Sequence, residues 1–267
     1  MTEPPNDRAT DVHTWIGAFA FRELPHPDPD VLVRVLGRER IASAWTGYLP
    51  TAYHRDPVPG NERLYAMLAP HTGVLQPVPV VRPDWPGWER VMADAHSRSV
   101  PAVRAYPMQW GLPPASDALS RLAGACAEAR TVLLLTVRFE DLRQRHPLDV
   151  ASDLTPAHVR GVVRASPGAA VVVAAAGREF IEETYWGLTP VERQRVWFDF
   201  SWVWGPPEDH FAHLLRTIGP SRFVFGTGWP LRLVQNSRAN LDLLPDDIAN
   251  PGLAHPGDLV ALARDAR

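Results

Sequence analysis

Eight short apolar or β-branched runs punctuate the chain, beginning near residues 11 (DVHTWIGAF), 41 (IASAWTGYL), 74 (VLQPVPVV), 102 (AVRAY), 132 (VLLLTVRF), 170 (AVVVAAA), 196 (VWFDFSW) and 222 (RFVFGT). Their starts lie 26 to 38 residues apart, room for one strand and one returning helix and little else. The spacers carry helix signals. WERVMADAHSR fills one, Ser116 caps the next, Thr155-Pro156 pairs an N-cap with a proline in the first turn, and PPEDHFAHLLRTIG stops at Gly219. The fifth, sixth and eighth runs are nearly continuous apolar stretches, the pattern of parallel strands covered on both faces. Eight β-α units in this length predict an α/β fold, a (β/α)8 TIM barrel in a single domain over residues 1–267. A doubly wound sheet fits less well, because no GxGxxG follows the first strand. The prolines after the first four runs stiffen long loops.

Composition narrows the chemistry. With 27 basic against 30 acidic residues the net charge is −3, which supplies no field for nucleic acid or anionic lipid, so neither partner is expected. All of the basic residues are arginine. Without lysine there is no Schiff base, no carboxylated lysine bridging two metals and no phosphate-loop lysine. Cys126 is the sole cysteine, which excludes an intramolecular disulfide, and its place in SDALSRLAGACAEAR predicts a buried helix position. MTEPPNDRAT has no apolar targeting core, and the run AAVVVAAA is too short to span a bilayer; a cytoplasmic protein is the expectation. No Gly-x-Ser-x-Gly elbow occurs, so a serine hydrolase has no support.

In a barrel, chemistry gathers at the C-terminal ends of the strands. Those ends offer Asp11, His13 and Trp15; Arg104 and Tyr106; Arg138 and Glu140; the alanines at 174–176; Asp199, Ser201 and Trp202; then Thr227, Gly228, Trp229 and Arg232. Alternation puts Asp11, His13 and Trp15 on one face of the first strand, and Thr136, Arg138 and Glu140 on one face of the fifth. TVRFEDLRQRHPLD (136–149) is the densest run of acids and bases.

DVHTWIG on the first strand and GTGWP on the last resemble the amidohydrolase superfamily, in its amidohydrolase 2 branch, over roughly residues 11–235. Members of that branch have Asp-x-His-x-His on strand 1 and Gly-Ser/Thr-Asp-x-Pro on strand 8. The resemblance implies a barrel in which the strand 1 histidines, histidines after strands 5 and 6 and the strand 8 aspartate hold one or two divalent metals and activate water. Here His13 matches the first histidine, whereas Trp15, TVRFED, AAAG and Gly228 stand at the other ligand positions. One imidazole cannot hold a catalytic zinc, which needs about three protein ligands. No metal and no cofactor are therefore expected.

The resulting expectation is metal-independent hydrolysis or decarboxylation of a small anionic metabolite. His13 would polarise or protonate it, with Glu140 or Asp199 as base. Arg104, Arg138 and Arg232 would bind the anion among Tyr106, Trp202 and Trp229. The alternative is a degenerate homologue that binds a ligand or serves as a partner subunit, in a homo-oligomer or beside an active homologue. The catalytic reading fails where the side chains of His13, Arg138 and Asp199 lie more than about 10 Å apart or are capped by Trp15 and Trp229 together, because proton transfer requires hydrogen-bond contact or one bridging water.

Overall fold

The computed structural model describes residues 9–265 apart from 26, 114 and 115; the segment MTEPPNDR, read above for its lack of an apolar core, lies outside them. Strands and helices alternate along the chain: β1 (Thr10–Ile16), α1 (Pro29–Arg38), β2 (Ser43–Tyr48), α2 (Val58–Leu68), β3 (Leu75–Pro77), α3 (Trp88–Ser97), β4 (Ala102–Ala105), α4 (Ala118–Glu128), β5 (Val132–Thr136), α5 (Pro156–Ala165), β6 (Val171–Ala174), α6 (Arg178–Trp186), α7 (Pro190–Arg193), β7 (Val196–Phe198), α8 (His210–Thr217), α9 (Val234–Asp242) and α10 (Pro256–Asp265). The sequence signals act where expected. Thr155 caps α5 by accepting from the His158 N–H, and Cys126 is buried on α4.

All strand pairs are parallel, in two ladders ordered β1-β2-β3 and β4-β5-β6-β7. Isolated bridges join them. Val80 pairs with Arg104 between the ladders, and the extended segment 223–229 pairs with β7 through Phe198 and with β1 through Thr14. Backbone bonds along that seam run from the Val224 N–H to Phe198 O (2.9 Å), the Val12 N–H to Phe225 O (3.0 Å) and the Trp15 N–H to Trp229 O (2.8 Å). The eighth run thus closes a (β/α)8 barrel. Three of its residues explain why it makes bridges instead of a ladder: Gly226, Gly228 and Pro230 are poor strand formers.

Inside the cylinder, Val12, Trp45, Val78, Leu134, Val172 and Val224 form one buried cluster, with Leu259 and Ala263 of α10 against it. Residues from so many strands can meet only on the barrel axis, so α10 covers one end. A second cluster fills the layer between strands and helices, including Leu32, Leu122, Ile181 and Phe211. No described helix is long and apolar enough to cross a membrane.

Candidate active site

The ladder between β1 and β2 slips register between Asp11 and Thr14. This bulge breaks the alternation expected for β1, since bulged strands bend and re-aim a side chain. Asp11 and His13 consequently do different work. Asp11 turns to the closing segment: its Oδ2 accepts from the Thr227 hydroxyl at 2.6 Å, and its Oδ1 from the backbone N–H groups of Thr227 (3.1 Å) and His13 (3.0 Å). Burial pushes its carboxyl up to about 6 against the pull of those bonds. The strand-end turn GTGWP is therefore a clasp. Gly228, at φ +74, sends its N–H to the His13 carbonyl at 2.8 Å, a backbone conformation that favours glycine.

His13 turns to β7. Its Nδ1 lies 2.5 Å from Asp199 Oδ2, both side chains wholly buried, although neither atom makes an aligned hydrogen bond. Asp199 Oδ1 is held by three donors, the N–H of Ala175 (3.1 Å), the N–H of Ser201 (3.2 Å) and the Ser201 hydroxyl (3.1 Å). Ala175 reaches it from a left-handed conformation at φ 60, costly for a residue with a Cβ and found where a site over-determines it. The dyad needs Gly226, because a Cβ there would stand 2.7 Å from Asp199 Cβ and 3.1 Å from His13 Cβ. Burial lowers the His13 pKa below its ordinary value despite the adjacent carboxylate, and the Arg104 and Arg232 guanidiniums add to the depression. The imidazole is neutral at neutral pH.

The other expected site residues divide. Arg104 is fully buried, its guanidinium 4.8 Å over the Trp15 ring, and Nη2 donates to the carbonyls of Val12 (3.4 Å) and Thr14 (3.2 Å) beside His13. Tyr106 accepts from the Trp15 indole N–H at 2.9 Å. Arg232 stacks 4.5 Å over Trp202 and has no carboxylate partner among the described residues. Arg138 also lies over Trp202, at 5.5 Å, but it is paired with Asp153 at 3.0 Å. Asp153 also takes Arg145, so Arg138 belongs to the loop after β5. Glu140 accepts from Arg22 at 2.6 Å, and Arg22 continues to the Leu231 carbonyl, tying three loops together. Trp229 joins the strand-helix layer with Phe225 and Val234, behind the wall and not at the rim.

Aromatic rings cover the dyad. Trp15 meets His13 edge-on at 4.4 Å, and Phe139 packs on Trp15, Tyr106 and Phe19. Trp15 thus lies against His13, whereas Trp229 packs in the strand-helix layer. A cavity of about 10 Å³, enough for one water, is lined by Tyr106, Thr136, Arg138 and Phe139. A cavity of about 560 Å³ lies beside Thr10, α9 and residues 249–256, away from the strand ends that carry the dyad.

Among the described residues no three His, Cys, Asp or Glu side chains group so as to hold a metal ion. The one imidazole present lies against the Asp199 carboxylate, with the Arg104 and Arg232 guanidiniums acting on it more weakly. The bulge, the left-handed backbone of Ala175 and the contact of Thr227 with Asp11 escaped sequence reading, although Ala175 and Thr227 read as strand-end residues. Bulges leave no fixed residue signature, and an alanine at positive φ leaves none at all.

A family model described as Amidohydrolase matches residues 55–253. No curated protein matches the sequence. Among solved structures, an uncharacterised TIM-barrel protein from Bordetella bronchiseptica aligns at 14% identity and TM-score 0.68, covering 96% of this chain and 99% of the other. The 2,6-dihydroxybenzoate decarboxylase from Rhizobium aligns at 10% identity and TM-score 0.69, covering 95% and 98%. A dihydroxybenzoic acid decarboxylase from Polaromonas, with bound manganese and 2-nitroresorcinol, aligns at 11% identity and TM-score 0.66, covering 97% and 98%. At these identities the likeness shows the barrel.

Proposed function

The chain belongs to the amidohydrolase family, and from that premise we propose that it hydrolyses or decarboxylates a small anionic metabolite without a divalent metal. One observation carries this reading: His13 and Asp199 form a buried dyad whose carboxylate is fixed by three donors while the imidazole Nε2 is left without a protein partner. Asp199 positions the ring, and His13 moves the proton. Arg232, stacked on Trp202 at the rim, receives the substrate's anionic end. Glu140 and Arg138, engaged by Arg22 and Asp153, hold the loops.

In hydrolysis, neutral His13 accepts a proton at Nε2 from water as the oxygen forms a bond to the electrophilic carbon, and the imidazolium returns that proton to the leaving group. In decarboxylation, an imidazolium gives its proton to the carbon that loses carbon dioxide, the electrons of the broken C–C bond forming the new C–H bond. The neutral imidazole favours hydrolysis. Either reaction requires the aromatic cover of Trp15, Phe139 and Phe19 to move off His13.

The second reading, a non-catalytic ligand-binding or partner subunit, is favoured by the zero exposure of His13 and Asp199 beneath Trp15. Turnover on a panel of aromatic carboxylic acids, their esters and lactones, using the wild type and the His13→Gln and Asp199→Asn variants, decides between them. Product formation abolished by either substitution supports the enzyme. Turnover unaffected by both, or none on any compound, leaves the binding role.

A further inference from the structure

Arg104 is the least explained charge in the barrel. Its side chain is fully buried, it forms no ion pair with a described carboxylate, and its Nε and Nη1 have no protein partner. Only Nη2 is engaged, through long bonds to two backbone carbonyls. The residue two places earlier on the same strand, Ala102, faces the apolar interior cluster, as do Leu134 on the adjoining β5 and Val172 on β6 beyond it, so the fold could fill this position without a charge. Desolvating a guanidinium without a counter-charge is strongly unfavourable. Room has nevertheless been made for it. A Cβ on Gly47 would stand 3.4 Å from Arg104 Nε and 3.1 Å from Trp15 Cδ1. The Trp15 face stabilises the cation, the Val12 and Thr14 carbonyls flank His13, and the unpartnered His13 Nε2 and Thr136 Oγ1 are buried at the same end of the barrel.

We infer that Arg104 is the fixed cation of a buried site for a small monoanionic group, a carboxylate, held beside His13. The inference rests on the proposed function for the molecule that carries the carboxylate, and it adds which group meets the carboxylate inside the barrel. A guanidinium offers fixed, planar donors to a planar anion, and the desolvation already imposed by the fold strengthens the attraction. Arg232 then serves as the outer station and Arg104 as the inner one. Aromatic neighbours Trp15, Tyr106 and Phe139 select a flat acid over a branched one.

The test is calorimetric titration of the whole protein with formate and with benzoate, with resorcinol as an uncharged aromatic control, on the wild type, Arg104→Met and Arg104→Lys. Expected are binding of both carboxylates by the wild type, weakening by about tenfold or more in Arg104→Met, the loss of one charge-assisted hydrogen bond, and a smaller loss in Arg104→Lys. Resorcinol should be indifferent to both substitutions. Carboxylate affinity unchanged in a folded Arg104→Met protein, or a wild type that binds neither acid, overturns the inference. Should Arg104→Met fail to fold, unchanged affinity in Arg104→Lys overturns it as well, because lysine lacks the fork. Absence of turnover leaves these binding results intact, so the proposed function and the Arg104 site fail separately.

Discussion

His13, Asp199 and Asp11 at the floor of the mouth, and Arg138, Glu140, Arg145 and Asp153 in the loop after β5, are assembled from the same kinds of residue to opposite effect. The floor residues come from distant parts of the chain, are held by backbone N–H groups at strand ends and are wholly buried. Those in the loop are near neighbours in sequence: Arg138 and Arg145 share Asp153, and Glu140 is held by Arg22. Local density of acids and bases therefore marks a self-neutralising brace here. The His13–Asp199 contact comes from residues that only the barrel can bring together.

The contrast can be broken most forcefully at Asp199. Asp199→Ala strands the Ala175 and Ser201 N–H groups and His13 Nδ1 together, and a loss of about 3 kcal/mol or more is expected in chemical denaturation. A loss below about 1 kcal/mol would put the dyad on the same footing as the loop. Gly226→Ala should cost about 1–3 kcal/mol, because its Cβ falls 2.7 Å from Asp199 Cβ and must push the dyad apart.

Opposite pH signatures sharpen the picture. The Asp11 carboxyl, raised from 3.8 to about 6, contributes stability that is full below 3.8 and lost as pH rises through 6. His13, lowered from 6.5, contributes stability that is present above 6.5 and lost as pH falls below it. Below about pH 6 the two slopes oppose each other, each reaching at most about 1.4 kcal/mol per pH unit. Denaturation across that window should show stability falling with rising pH in His13→Gln and rising with pH in Asp11→Asn. Parallel slopes in the two variants would refute the assignment. In the loop, hydrogen bonds from Arg143 hold Asp141 down at about 2, so its contribution is lost only in stronger acid. The smallest effect belongs to Glu140→Gln, expected below about 1 kcal/mol and reduced further by salt, since its partner Arg22 is well exposed.

Much of the architecture was legible because the apolar runs recur at the length of one β-α unit. Cys126, the cap at Thr155 and the parallel strands follow from local pattern alone. His13 and Asp199 were legible as strand-end residues, but their contact was not, because it depends on a bulge and on the missing Cβ of Gly226. Arg138 and Glu140 read as site residues since sequence adjacency cannot show that Asp153 and Arg22 already hold them. Trp229 read as a rim residue because the turn after Gly228 inverts the side on which it lies. Arg22 and Asp153 gave no signal beyond being charged residues in loops.

Elemental analysis of the purified whole protein is the most direct measurement of the claim that arginine charge and a His–Asp dyad, and not a metal, occupy the mouth of this barrel. Zinc, manganese and iron are expected far below one equivalent per chain, before and after incubation with each ion and desalting. A full equivalent of any of them, lost on His13→Gln, would contradict the account.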